Sequence, residues 1–146
     1  MQFWLRPSTE DDFEFVFQLN KINMRHYVEQ LRGWDDVAER CDMQQKFYPG
    51  CDQIIVIDSN DAGIFGVDRK SNMIELRHIE ILPKYQRLGV GTALINNLLN
   101  DARQAKLPVL LCVLKMNPVL HLYESLGFRI TGETNLKYQM IAMIDS

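Results

Sequence analysis

The stretch "IEILPKYQRLGVGTALI" (residues 79–95) joins the end of an apolar strand, a turn with two glycines and the start of an apolar helix. Glycine lowers helix stability, so Gly89 and Gly91 at a helix start need a physical reason. The first turn of a helix has N–H groups without intrahelical partners, and the helix dipole adds about half a positive charge there. Two missing side chains open this helix start to an anion, and phosphate suits it best.

Two common phosphate motifs do not account for this loop. A dinucleotide-binding fingerprint needs a third glycine where the chain has Leu94, and a P-loop needs a Gly-Lys pair followed by Ser or Thr. Lys84 and Arg87 add positive charge beside the glycines. On the loop residues alone, a plain tight turn competes with an anion site.

Hydrophobic periodicity and turn residues around the loop predict a strand, two helices, three strands, a helix, a strand, a helix and two strands. The predicted strands cover 2–6, 53–59, 64–70, 73–82, 109–114, 128–133 and 137–144, and the predicted helices cover about 13–30, 36–46, 90–104 and 118–126. A turn is predicted at "NDAG" (60–63). The crossover helix that follows the loop makes strands 73–82 and 109–114 parallel neighbours in a mixed, mostly antiparallel sheet with helices on both faces. The run "VLLCVL" (109–114) is typical of a strand covered on both faces.

The apolar phase shifts within the strand that precedes the loop. Apolar side chains fall on even numbers at Ile74 and Leu76 but on odd numbers at Ile79 and Ile81. Because side chains alternate between the faces of a strand, one extra residue at 77–78, a β-bulge, would restore a single core face. Burial of both faces is the alternative interpretation of the same pattern.

Length and composition restrict the class of protein. A chain of 146 residues with 47% apolar and 24% charged side chains suits one globular domain, predicted to span residues 1–146. The net charge of −3 provides no basic field for nucleic acid. No secretion signal and no apolar run of about 20 residues are found, so no membrane partner is predicted. Three cysteines without Cys-x-x-Cys spacing favour the cytoplasm, and three histidines without ligand spacing predict no metal site.

Two segments resemble the GNAT superfamily of N-acetyltransferases. The family's Gln/Arg-x-x-Gly-x-Gly/Ala motif, after a strand that ends in apolar-x-Pro, is matched by Gln86, Gly89 and Gly91. A second family segment, an Asn followed by a Tyr and then Gly-Phe, is matched within "NPVLHLYESLGF" by Asn117 and Tyr123. Those two residues are six apart where many members have seven. The resemblance covers about residues 53–130, and "LRPSTEDD" near the start is similar to the family's opening.

The resemblance implies a GNAT-like α/β fold whose parallel strand pair splays apart, and acetyl-coenzyme A as the cofactor. It implies that the loop offers backbone N–H groups to the pyrophosphate and that the strand before it offers its backbone to the pantetheine arm. The N–H of Ile81 is implied as a donor to the thioester oxygen. The implied cofactor-binding residues are Ile79, Glu80, Ile81, Gln86, Arg87, Leu88, Gly89, Val90, Gly91, Thr92, Asn117 and Tyr123.

The implied reaction is direct attack by a primary amine on the thioester in a ternary complex. A lysine-like amine with a pKa of about 10.4 is mostly protonated at pH 7, so a base helps. Glu75 lies where some members carry a catalytic Glu, and His78, Glu80 and water are the alternatives. Tyr123 is implied as the acid for the departing thiolate, against the alternative that it packs in the core.

The acceptor amine is left open between small molecules and peptide or protein amines. Trp34 beside Asp35 and Asp36 would suit a cationic amine, and the two C-terminal strands allow pairing in a homodimer. A non-catalytic acyl-CoA-binding or sensing module is the alternative function, because it shares the phosphate loop but does not need Tyr123 or Glu75. A structural domain without a ligand is the third interpretation.

Overall fold

The computed structural model describes residues 2–143. The strands are β1 (Phe3–Pro7), β2 (Gln53–Ile57), β3 (Asn60–Arg69), β4 (Ile74–Ile81), β5 (Val109–Leu114), β6 (Arg129–Glu133) and β7 (Lys137–Ala142). The α-helices are α1 (Phe13–Arg32), α2 (Asp36–Lys46), α3 (Val90–Ala105) and α4 (Val119–Ser125), and two 3-10 turns cover Glu10–Asp12 and Pro83–Tyr85. Within residues 2–143, no helix combines the length and the apolar character needed to cross a membrane.

The seven strands form one sheet in the order β1-β2-β3-β4-β5-β7-β6. The neighbours β4 and β5 run parallel, with Ile74 opposite Val109 and Glu75 opposite Leu110. Strands β1 and β2, β2 and β3, β5 and β7, and β6 and β7 are antiparallel. The predicted mixed sheet with one parallel pair is therefore confirmed, and so is the crossover through α3 that makes β4 and β5 parallel.

Tertiary contacts group the chain into two compact units. The first comprises the chain up to Gly66 together with His78–Val90, and the second comprises Val67–Arg77 with the chain from Gly91 onward. In the first unit, α1 and α2 bury apolar side chains at helical spacing with side chains of β2 and β3. This buried cluster consists of Val16, Phe17, Leu19, Met43, Phe47, Ile54, Val56 and Ile64. A single domain over 1–146 stays a prediction.

Local caps set the ends of the two helices in the first unit. Helix α1 ends at Gly33, whose φ of +81° lies in the left-handed region that favours glycine. The Asp35 carboxylate accepts the N–H groups of Val37 and Ala38 at 3.0 and 3.3 Å. Because these are donors without intrahelical partners, Asp35 fixes the start of α2.

The strand pair β5 and β7 forms the centre of the sheet in the second unit. Strand β7 pairs with β5 on one side and β6 on the other, which leaves β6 as the edge strand. On β5 the side chains of Val109, Leu111 and Val113 are buried, whereas Cys112 is exposed. The prediction that both faces of β5 are covered is therefore wrong at Cys112. An apolar run reports hydrophobic side chains but not which face is covered.

The turn between β2 and β3 lies two residues before the predicted one. Asp58 and Ser59 have φ angles of +49° and +69°, and Asn60 already belongs to β3. Two consecutive positive φ angles make the two-residue hairpin turn whose twist matches the strands. Gly63, which the sequence predicts in the turn, is a strand residue, and a Cβ there would lie only 2.3 Å from the Glu80 carbonyl oxygen. The missing side chain lets the backbones of β3 and β4 approach closely at this point.

Strand β4 contains one more residue than the part of β3 that it faces. The Lys70 N–H donates to Met73 at one end of this hairpin, and the Leu82 N–H donates to Ala62 at the other. Between these bonds β4 advances nine residues and β3 eight. The extra residue is a β-bulge in β4.

The bulge lies at Arg77 and His78, where the shift of apolar phase predicts it. Arg77 Nε lies 3.0 Å from Asp68 Oδ1, and a Cβ on Gly66 would lie 2.4 Å from the His78 ring. Gly66 and Asp68 are two residues apart on β3 and share one face, so Arg77 and His78 both reach that face. Consecutive residues of a regular strand cannot do so.

Candidate active site

The loop after β4 has the backbone shape of an open helix start. After the 3-10 turn Pro83–Tyr85, Arg87 and Gly89 have φ angles of +64° and +85°, and α3 begins at Val90. A Cβ on Gly89 would meet nothing within 4 Å, so the glycine serves its backbone conformation and leaves space in front of the helix. The residues fit a pyrophosphate group, because the first N–H groups of α3 face no helical acceptor.

Two side-chain amides fasten this loop to the end of β4. Gln86 Nε2 donates to the Ile81 carbonyl at 2.8 Å and to Asn23 Oδ1 at 3.3 Å. Asn23 Nδ2, from α1, donates to the same carbonyl at 2.9 Å. Gln86, predicted to bind the cofactor, therefore has its amide on the polypeptide, where it fixes the loop and the Ile81 peptide together.

Glu80 is held by a neutral partner from α1. Asn20 Nδ2 donates to the two carboxylate oxygens of Glu80 at 3.0 and 3.3 Å. Burial raises the pKa of Glu80 above its usual value, while the amide of Asn20 and the nearby charge of His78 act in the opposite direction. No cation forms an ion pair with Glu80 among the described residues. A carboxyl group of raised pKa is suited to proton transfer.

His78 lies on the same face as Glu80, two residues earlier on β4. Its Nε2 is 3.2 Å from Oδ2 of Asp52, a fully buried carboxylate that also accepts the Tyr48 N–H at 2.9 Å. Gly66 lies between them on β3, and a Cβ there would come within 2.7 Å of Asp52 and 2.4 Å of the His78 ring. The missing side chain is what lets Asp52 and His78 meet.

Glu75 has a different environment at the other end of β4. It lies in the second unit, and its side chain is 39% exposed. Lys70 Nζ lies 3.6 Å from its carboxylate, so the hairpin turn supplies a counter-charge.

The second predicted segment lies in the second unit. Tyr123, on α4, is 6% exposed, and its ring centroid lies 5.7 Å from that of Phe128. Asn117 Oδ1 accepts the N–H of Val119, the first residue of α4, at 3.0 Å. Tyr123 is thus buried beside Phe128 and Asn117 has a backbone partner, and the roles predicted for both stay predictions.

The carboxylates of Asp35 and Asp36, near Trp34, already have partners within the chain. Trp34 Nε1 donates to Asp36 at 2.8 Å, and Lys21 Nζ lies 2.8 Å from the same carboxylate. The Trp34 ring also lies 6.3 Å from that of Phe17. With Asp35 capping α2, this region has the contacts of a packed helix junction, and an amine site there stays a prediction.

Sequence reasoning missed the two α1 amides that hold the end of β4. Asn20 and Asn23 are half-buried polar residues three positions apart on a helix that also carries apolar core residues. That spacing puts them on one face, a signal that the helix meets polar groups there. No cluster of three or more His, Cys, Asp or Glu side chains able to hold a metal ion occurs among residues 2–143.

A protein-family model described as "Acetyltransferase (GNAT) domain" matches residues 37–130. This span includes β4 with its bulge, the glycine loop and the Asn117–Phe128 segment. No curated protein sequence matches the chain significantly.

Solved structures of several acetyltransferases share the fold. The PaiA N-acetyltransferase of Thermoplasma acidophilum, in complex with coenzyme A, has a TM-score of 0.76 at 14% identity, covering 98% of this chain and 99% of that one. The ribosomal-protein-S18-alanine N-acetyltransferase of Escherichia coli has a TM-score of 0.64 at 16% identity, covering 99% and 97%. An Arabidopsis thaliana protein in complex with the bisubstrate analogue CoA-Ac-MVNAL has a TM-score of 0.66 at 15% identity, covering 97% and 98%. At these identities the likeness concerns the fold.

Proposed function

The chain belongs to the GNAT acetyltransferase family, and from this membership we propose that it transfers an acetyl group from acetyl-coenzyme A to a primary amine. The observation that carries the proposal is the loop between β4 and α3. Its open glycine at φ +85° and its attachment to the Ile81 carbonyl present a helix start beside an ordered strand end.

Acetyl-coenzyme A would supply an activated acetyl thioester. The residues proposed to hold its pyrophosphate through backbone N–H groups are Arg87, Leu88, Gly89, Val90, Gly91 and Thr92. The backbone of Ile79, Glu80 and Ile81 is proposed to bind the pantetheine arm. Further cofactor contacts are proposed for Gln86, Asn117 and Tyr123.

The Ile81 N–H is proposed to donate to the thioester oxygen, where negative charge develops during attack. The opposite side of this residue is already fixed, because the amides of Asn23 and Gln86 donate to its carbonyl at 2.9 and 2.8 Å. A donor held in place before the reaction needs no reorganisation when charge develops, which is what makes such a donor effective.

Two proton transfers accompany the reaction. An amine with a pKa of about 10.4 has only about one molecule in two thousand neutral at pH 7, so a base raises the rate. Glu75, His78, Glu80 and water are the candidates for that base. Tyr123 is proposed to give a proton to the departing sulfur.

The acceptor is proposed to be a small-molecule amine or an amine of a peptide or protein. Two of the structural neighbours carry peptide or protein amines in their descriptions, a ribosomal-protein alanine and the analogue CoA-Ac-MVNAL. These descriptions of the two neighbours support the proposal that this chain also acetylates an amine.

The proposal is tested by titrating coenzyme A into the full chain by calorimetry and following thiol release from acetyl-coenzyme A with an amine panel. The panel contains a peptide α-amine, a lysine side chain and a polyamine. We expect coenzyme A binding and thiol release above buffer with at least one amine. Binding without release from any amine would favour the non-catalytic acyl-CoA-binding module, and absence of binding would refute both functions.

Matched variants locate the binding and the chemistry. Gly89→Ala strains a residue at φ +85° by about 1–2 kcal/mol and should weaken coenzyme A binding roughly tenfold. Gly50→Ala is the control, because Gly50 has φ +84° and equally open surroundings outside the loop. Tyr123→Phe keeps the ring but removes the proposed proton donor, so turnover should fall by more than coenzyme A affinity. Equal affinities for the two glycine variants would remove the loop from the binding site.

A further inference from the structure

We propose that Glu80, held by Asn20, accepts the proton of the acceptor amine, an inference that rests on the proposed amine acetylation. The residue directly precedes Ile81, whose N–H is the proposed donor to the thioester oxygen. A base next to that donor is within reach of an amine that attacks the same carbonyl carbon. Glu80 replaces Glu75, which the family resemblance suggested.

The contacts of Glu80 fix its position without neutralising it. Asn20 Nδ2 lies 3.0 Å from Oε2 and 3.3 Å from Oε1, so a single neutral amide orients both oxygens. An arginine or lysine in that place would favour the ionised form and weaken the carboxylate as a base. Asn20 is therefore a positioning residue that leaves the carboxylate able to take a proton.

Glu75 lacks these properties. Lys70 stands 3.6 Å from its carboxylate, and solvent reaches more than a third of its side chain. It also lies in the part of β4 that pairs with β5, opposite Leu110. These features are those of a surface ion pair, which contributes little to stability.

The charged surroundings of Glu80 define how it should titrate. On β4 the titratable neighbour two residues away is His78, whose Nε2 lies 3.2 Å from Oδ2 of the buried Asp52. From α1 the contacting group is the neutral amide of Asn20. The charge of His78 acts to lower the pKa of Glu80 and so opposes the effect of burial.

The proposed step balances as follows. The ammonium nitrogen gives one proton to the Glu80 carboxylate, and its lone pair then forms the C–N bond while the C–S bond breaks. The nitrogen releases its second proton to water, and the leaving sulfur takes up one proton, proposed to come from Tyr123, which recovers a proton from water. Glu80 passes its proton to water, so the products are the acetylated amine, the thiol and one proton.

The test compares Glu80→Gln with Glu75→Gln, both isosteric changes that remove one carboxylate of β4. At pH 7 we expect kcat/KM of Glu80→Gln to fall by about 100-fold or more, a larger loss than that of Glu75→Gln. Calorimetry with coenzyme A should give the wild-type affinity for both variants. The ratio of wild-type to Glu80→Gln rates should also shrink as pH approaches the amine pKa, because the amine then deprotonates unaided.

Asn20 is tested with Asn23 as its control, since both amides come from the same face of α1. Asn20→Ala should lower the rate and move the acidic limb of the pH–rate profile to higher pH, because the Asn20 hydrogen bond lowers the pKa of Glu80. Asn23→Ala removes a bond to the Ile81 carbonyl and should leave that limb in place. If Asn20→Ala acted only by disturbing the packing of α1, the rate would fall but the acidic limb would stay in place.

The outcomes separate the two proposals. Wild-type protein that binds coenzyme A but acetylates no amine overturns the proposed function and this inference together. If wild type acetylates an amine and Glu80→Gln is as active, the inference alone is overturned. The same holds if the ratio of the wild-type rate to the Glu80→Gln rate stays constant with pH. If Glu75→Gln shows the larger loss with a pH-dependent ratio, the base is Glu75.

Discussion

Asp12 and Glu80 are both largely buried carboxylates of the first unit, but their surroundings treat the negative charge in opposite ways. Arg6 donates to both oxygens of Asp12 at 2.8 and 3.0 Å, and the Thr9 N–H adds a third bond at 2.8 Å. The Arg6 guanidinium holds the pKa of Asp12 below its usual value. At Glu80, burial raises the pKa, and only a neutral amide and a nearby imidazole oppose it.

The difference separates a structural carboxylate from one suited to chemistry. The charge of Asp12 stabilises the fold, since it joins β1 to the turn before α1 through a bidentate ion pair. The charge of Glu80 is a cost to the folded state, because burial raises its pKa more than Asn20 and His78 lower it. Buried groups left in such a state are concentrated at functional sites, so the contrast supports the assignment of Glu80 to the reaction.

The largest expected effect comes from a substitution that collides with the backbone of Glu80. A Cβ on Gly63 would lie 2.3 Å from the Glu80 carbonyl oxygen, which a backbone atom cannot easily vacate. We expect Gly63→Ala to lower the free energy of unfolding by about 3 kcal/mol and to abolish acetyl transfer. Urea denaturation and the thiol-release assay measure the two effects.

Gly132→Ala is the matched control for that substitution. Gly132 is also a strand glycine, and its Cβ would lie 3.7 Å from Gln139, an ordinary contact. Its unfolding free energy should change by no more than about 0.5 kcal/mol. Equal stability of the two variants would show that β3 and β4 do not approach as closely as the Gly63 contact requires.

The next test removes the charge of Asp12. We expect Asp12→Asn to destabilise the protein by about 1–2 kcal/mol at pH 7, the range for charged hydrogen bonds reduced for the partly exposed Arg6. Because the folded pKa of Asp12 is lowered, its contribution is complete above the unfolded pKa of about 3.9 and is lost as pH falls through the folded pKa. The difference between wild type and variant should therefore shrink on acidification, and a constant difference would contradict the ion pair.

Local signals in the sequence predicted most of the fold. Each strand and helix appears in the structure within a few residues, and α2 and β5 match the predicted bounds because a cap and an apolar run define them. The turn before β3 was misplaced. Gly63 looked like a turn residue, whereas its reason lies in close approach to Glu80, a contact between distant residues.

The site was predictable only where the signal is local. The glycine loop and the bulge at Arg77 and His78 both follow from short stretches of sequence. The partners of Glu80 and Ile81 do not, because Asn20 and Asn23 lie 60 and 58 residues away in the chain. Such pairs depend on how α1 packs, and no motif near β4 encodes them.

The smallest expected effect is the change in stability caused by Glu80→Gln. Its sign is opposite to that expected for Asp12→Asn. Because burial raises the folded pKa of Glu80, the folded state binds this proton more tightly than the unfolded chain, whose pKa is about 4.3. Its ionisation therefore destabilises the protein increasingly as pH rises from the unfolded to the folded pKa. Glu80→Gln should be more stable than wild type by about 1 kcal/mol at pH 7, with no gain near pH 4.

Urea denaturation at both pH values measures this gain, and Glu75→Gln is the control. Glu75 is exposed beside Lys70, so its substitution should change stability by no more than about 0.5 kcal/mol at either pH. A loss of stability in Glu80→Gln at pH 7 would mean that the ionised carboxylate is stabilised by its surroundings, as Asp12 is. Glu80 would then be a structural residue. A gain in stability together with a loss of activity would show that the fold keeps this carboxylate at a cost, because the reaction requires it.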